Sequence, residues 1–187
     1  MKKIWSLLGF VLLLPIVVFA DGVENYYINA TIEKNGSLLV EEYFTLSGSY
    51  RGYERIINYK NTGATPFNIN AISYGGSTAH NGSGLEILEV GGANTYFKGD
   101  FSNLKIDPFT YDDDALKGDY GVYNYETTAI GKDIMIYNPS SKNKAFYLKY
   151  RINNIAILFN DVGEIGWNVV GDSLREDIEN LVITLNI

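Results

Sequence analysis

The chain has 187 residues, a formal net charge of −7, no cysteine and a single histidine. That length suffices for one domain with a core of its own. The acidity argues against a nucleic-acid partner, because phosphate contact needs clustered Lys and Arg, and the missing thiols exclude disulfides, cysteine nucleophiles and thiolate zinc sites.

Residues 1–20 have the layout of a secretory signal peptide. Lys2 and Lys3 precede an apolar run over 4–19, and Val18 and Ala20 stand where a signal peptidase reads small residues, before Asp21. The run is shorter than the ~20 residues of a membrane-spanning helix; an uncleaved anchor helix is the alternative. The expectation is a signal peptide over 1–20 and a single extracytoplasmic β domain over 21–187, with a net charge near −9 once the two leader lysines are gone.

Beyond the leader, Tyr and β-branched residues alternate with Gly- and Asn-rich turns, as in an all-β chain. Tyr26, Ile28, Ala30 and Ile32 share one face of a first strand, and Asn29, Thr31 and Glu33 share the other. Asn35 and Gly36 are expected to supply the positive φ angles of a tight hairpin turn. Leu38, Val40, Phe44 and Leu46 then line the core face of the second strand. Glu42 falls on that same face, where a carboxylate needs a cation or a dense set of donors. Arg55, in the next segment, is the expected partner, giving a structural Glu42–Arg55 ion pair with the fixed donor fork of Arg; the competing reading has Arg55 facing a ligand.

Residues 67–74 and 85–90 read as strands, joined by a Gly- and Ser-rich loop that carries His80. With no nucleophile or paired acid beside it, His80 is read as a surface residue. A strand is expected over 96–106 and a turn over 107–114. Asp112, Asp113 and Asp114 in that turn are a candidate calcium site, yet they lack the alternating acids and sixth-position Gly of an EF-hand loop. A solvated acidic turn is the competing reading. Further strands are expected at 121–128 and 132–137. Another carries Phe146, Leu148, Tyr150 and Ile152 inward and continues through 155–159. A loop with Asp161 and Glu164 leads to Trp167, and these three are the candidate binding residues, with core packing as the alternative for Trp167. Residues 173–178 read as a short helical turn. Leu181, Ile183, Leu185 and Ile187 read as the inward row of a last strand. The fold class is therefore all-β, an antiparallel sandwich of immunoglobulin-like or jelly-roll-like form.

The order of these features resembles a known family, the N-terminal domain of the "predicted membrane protein" family, domain of unknown function 2207. The residues that carry the resemblance are Asn35, Gly36, Val40 and Glu42 in the first hairpin, then Phe44, Gly48, Gly52, Arg55 and Ile56. Asp161, Glu164, Trp167 and Gly171 precede the last strand and complete the pattern. The resemblance implies attachment to a membrane through transmembrane helices that follow such a domain, and it implies no reaction.

No nucleophile–base pair, metal set or cofactor motif is visible, so a non-enzymatic role without cofactor is expected: recognition, sensing or assembly outside the cytoplasm. Membrane association is expected through the leader or through C-terminal helices beyond this sequence, with an envelope protein or a glycan as partner and no nucleic acid. The main alternative is a secreted carbohydrate- or cell-wall-binding module using Tyr111, Tyr120, Tyr123 and Tyr125. A glycoside hydrolase would need two carboxylates across a cleft, and an adhesive subunit would use the last strand to pair with a partner.

Overall fold

The computed structural model describes residues 22–60, 82–139, 142–158, 163–171 and 177–187. The leader at 1–20, the strand expected at 67–74, His80 and Asp161 lie outside the described residues, as does most of the helical turn expected at 173–178.

Among the described residues twelve strands follow in chain order: β1 (Gly22–Ile32), β2 (Leu38–Ser47), β3 (Gly52–Asn58), β4 (Gly84–Ala93), β5 (Ile106–Pro108), β6 (Thr110–Tyr111), β7 (Val122–Thr127), β8 (Gly131–Tyr137), β9 (Ala145–Asn153), β10 (Ala156–Leu158), β11 (Gly163–Ile165) and β12 (Ile178–Asn186). A 3₁₀ turn spans Phe101–Asn103, and Pro139 is also 3₁₀. No helix among the described residues is long and apolar enough to cross a membrane.

The strands form a six-stranded sheet in the order β12-β1-β2-β9-β4-β5, a four-stranded sheet in the order β3-β8-β7-β6, and the small β10-β11 ribbon. The two larger sheets meet through one apolar core. Tyr26, Ile28, Val40, Phe44, Phe146, Leu148 and Tyr150 come from the first, and Tyr53, Ile57, Ile134 and Ile136 from the second. Phe44 of β2 and Tyr53 of β3 touch across the layers with ring centroids 4.2 Å apart. In a chain without cysteine, such burial carries the stability, at ~1.5–3 kcal/mol for each large apolar side chain.

The β1–β2 hairpin follows from its alternation, with Leu38, Val40, Phe44 and Leu46 all buried. Its turn differs from the expectation. Among the non-glycine residues described, positive φ occurs at Asn154 alone, so Asn35 is conventional and Gly36 (φ 79°) supplies the left-handed residue. Gly36 N–H donates to the Glu33 carbonyl and Glu33 N–H to the Ser37 carbonyl, a turn closed by a glycine bulge.

Four expectations are corrected. Most pairings are antiparallel, but β12 runs parallel to β1 and β6 parallel to β7, so both larger sheets are mixed. Residues 94–105 form a loop containing the 3₁₀ turn, not a strand, and the supposed turn at 107–114 contains the end of β5 and all of β6. The strand expected to continue through 155–159 breaks at Asn154 (φ 53°) and resumes as β10, paired with β11. Finally, Leu181, Ile183 and Leu185 sit opposite Tyr26, Ile28 and Ala30 and thus face inward, but they are 43–51% exposed. The four-stranded sheet is narrower than its six-stranded partner. β12 is an edge strand of the six-stranded sheet.

Candidate functional site

Two polar regions stand out, one sealed in the core and one on the outer face of the six-stranded sheet. In the core, Arg55 meets Glu42 side on: Nε donates to Oε2 at 3.0 Å and Nη2 to Oε1 at 2.8 Å. Both side chains are essentially inaccessible, at 1% and 0%. The Tyr26 hydroxyl donates to Glu42 Oε2 at 2.7 Å, and the Tyr150 hydroxyl to Oε1 at 2.6 Å. The remaining guanidinium donors reach backbone carbonyls: Nη1 those of Ile56 and Val170, Nη2 that of Val169. All five N–H donors of Arg55 are thereby used. Burial by itself would lower the Arg55 pKa, but the Glu42 carboxylate beside it holds it well above its ordinary value. Burial pushes the Tyr26 and Tyr150 hydroxyls far up, so both remain protonated donors.

The outer face carries a hollow of about 430 Å³. Asn29 and Glu41, on adjacent strands, form its floor together with Thr184 of β12. Gly99, Asp100, Phe101 and Ser102 of the 94–105 loop form its wall. The loop is anchored by rings. Phe97 packs against Tyr27 and Tyr43 at 5.1 and 4.4 Å, and Phe101 against Phe97 and Tyr147 at 4.9 and 6.3 Å. Gly99 crosses Tyr27 at φ 93°, and a Cβ there would sit 3.6 Å from the ring. Glu41 accepts from the Tyr147 hydroxyl at 2.7 Å, from Asn29 Nδ2 at 3.2 Å and from Lys149 Nζ at 3.4 Å. Asp100 accepts from the Ser102 hydroxyl and amide and from Asn103 Nδ2. The Ser102 hydroxyl, then Asn103 and the Ser102 amide, hold its pKa below the usual carboxylate value. Burial and the bond to Glu41 push Tyr147 far up, and burial pushes Tyr43 up to about 12.

The core cluster also draws in residues distant in sequence. The carbonyls of Val169 and Val170 lie 114 and 115 residues from the Arg55 donors they receive. Trp167 stands edge-on to Tyr150 with ring centroids 6.4 Å apart. Gly171 lies at φ 77°, and a Cβ there would come within 2.6 Å of Arg55 Nη1. The motif residues of the first hairpin and those before the last strand are therefore two halves of one structure. A family model described as the predicted membrane protein (DUF2207) N-terminal domain matches residues 22–187. The chain belongs to this family. A search of the curated proteins finds no match.

In this DUF2207 domain the other candidate residues are dispersed. Glu164 lies half-buried on β11. Trp167 is half-buried against the core, and its indole N–H is enclosed without a hydrogen-bond partner. Neither lies at the hollow. Asp112, Asp113 and Asp114 bring carboxylate oxygens within 4.8 Å of one another, on exposed or half-exposed chain. Asp112 is already engaged by the Asp114 amide at 3.1 Å. Of the four tyrosines, Tyr111, Tyr123 and Tyr125 come together at 5.0–5.7 Å. Tyr123 and Tyr125 pack against the core, with Lys132 Nζ 3.7 Å from the Tyr125 ring centre. Tyr120 instead pairs with Phe109. Sequence reasoning placed Tyr26 and Tyr150 inward but missed them as donors to Glu42, although a hydroxyl in an otherwise apolar inward row signals a buried partner. It also missed the hollow, whose wall lies in the segment read as a strand.

Proposed function

We propose that this is an extracytoplasmic, non-enzymatic domain through which a membrane-associated protein recognises a ligand or partner. The family's description as a predicted membrane protein supports the association with a membrane. The observation that carries the recognition reading is the preorganised hollow. A loop anchored by aromatic rings is laid over the outer face of the six-stranded sheet and borders an open hollow of about 430 Å³. The buried Glu42–Arg55 pair takes no part in it, because the two charges are used on each other in the core.

The absence of cysteine makes the location directly testable. Leu116 is 70% exposed, so a Leu116→Cys variant carries one accessible thiol. In intact cells a membrane-impermeant maleimide is expected to label it as fully as after lysis. Labelling only after lysis would place the domain inside and overturn the reading.

A further inference from the structure

We propose that the outer-face hollow binds a saccharide, with a sugar ring against Phe101 and its hydroxyls on Glu41, Asp100 and Ser102. This rests on the recognition reading and names the ligand class of that site. The argument begins with what the hollow is built of. Its volume of about 430 Å³ falls within the ~300–1,000 Å³ of small-molecule sites. One wall is aromatic and the rest is polar, supplied by Asn29, Glu41, Asp100, Ser102 and Thr184. A pyranose has the matching surface, an apolar ring face edged by hydroxyls that both donate and accept.

The other ligand classes fit less well. A calcium ion takes six to eight oxygens. Here Glu41 already holds Tyr147, Asn29 and Lys149, and Asp100 already holds Ser102 and Asn103. Lys149, 3.4 Å from Glu41, also offsets its charge, which weakens the pull on an organic cation. An anion would face two carboxylates in a chain of net charge −7. An apolar ligand would strip water from the polar floor without replacing its hydrogen bonds. A neutral polyol can add to these networks without displacing them, since a carboxylate oxygen accepts more than one donor.

The test is an NMR titration of the purified, isotopically labelled chain with cellotetraose, chitotetraose and maltotetraose. At least one is expected to shift the amides of Asn29, Gly99, Phe101, Ser102 and Thr184 as a group. Phe101→Ala is expected to weaken that binding about tenfold or more, the loss of one aromatic contact. Glu41→Gln, which keeps the side-chain shape, should weaken it too, while Tyr111→Ala on the other sheet leaves it unchanged. Sedimentation with insoluble cell-wall glycan that Phe101→Ala abolishes would assign the source to the wall; response to soluble tetrasaccharides alone would assign it to free oligosaccharide. The proposal is overturned if no probe moves these amides and no glycan sediments the chain. It is equally overturned if spermidine or calcium moves them and sugars do not, or if binding survives both Phe101→Ala and Glu41→Gln in folded protein. The maleimide result is independent of all these outcomes.

Discussion

Glu42 receives two hydrogen bonds from Arg55, one from Tyr26 and one from Tyr150, with no solvent near. Removing one charge of such a pair leaves the other buried without compensation. Glu42→Ala is therefore expected to cost ~3–5 kcal/mol, read as a lowered urea midpoint; a midpoint equal to wild type would show that the pair carries no stability. The two tyrosines set a pH limit. Their pKa values are raised in the fold by burial, so the folded state holds protons that the unfolded chain releases above about pH 10. Their contribution is complete below that pH and is lost as pH rises towards the folded values, by up to about 1.4 kcal/mol per pH unit for each group. Thermal melts between pH 9 and 12 should fall steeply in the wild type, with a shallower slope in Tyr26→Phe. An equal slope would remove Tyr26 from the account. At this scale Glu42 was legible because its register placed a charge among Val40 and Phe44, and Arg55 because it was the arginine of the next segment. The backbone carbonyls that complete the guanidinium shell were not, since carbonyls carry no residue signature.

Elements with a local signature were readable: the β1–β2 hairpin from alternation around Asn35 and Gly36, and β9 from its inward row. The 94–105 loop was not. Its aromatics suggest a strand by propensity, but Phe97 and Phe101 dock onto Tyr27, Tyr43 and Tyr147 from outside the sheet. The pairing of β12 was hidden for another reason, because a parallel partner is joined by no turn and leaves no mark in the intervening sequence. The segment ahead of β12 holds a sharper test. Gly171→Ala puts a methyl 2.6 Å from Arg55 Nη1 and 3.2 Å from the Ile56 carbonyl, at a φ that side chains rarely adopt. The expected loss is ~2 kcal/mol or more by chemical denaturation. Gly84→Ala, whose nearest neighbour is 4.0 Å away at Asn153, should stay within about 0.5 kcal/mol of wild type. Equal effects would mean that Gly171 is not fitted to the guanidinium.

Across the whole molecule, the six-stranded sheet ends at β12, which has one charged residue, Glu179, and exposes Leu181, Val182, Ile183 and Leu185. Sheet edges are usually blunted by Lys, Pro or bulges, because an open apolar edge templates association. Leu185→Lys is expected to leave the melting temperature nearly unchanged and to lower light scattering at high concentration. Ile28→Lys, at the paired buried position two along from Ala30, should prevent folding. A large loss of stability in Leu185→Lys would mean that this row is covered in solution. The parallel β1–β12 pair also gives the domain a mechanical character. β1 enters at Gly22 and β12 leaves at Asn186, at opposite ends of two strands held side by side from Val23 against Ile178 to Thr31 against Asn186. Tension applied between those two points would slide the strands past each other, so the whole ladder would resist at once rather than peel open bond by bond.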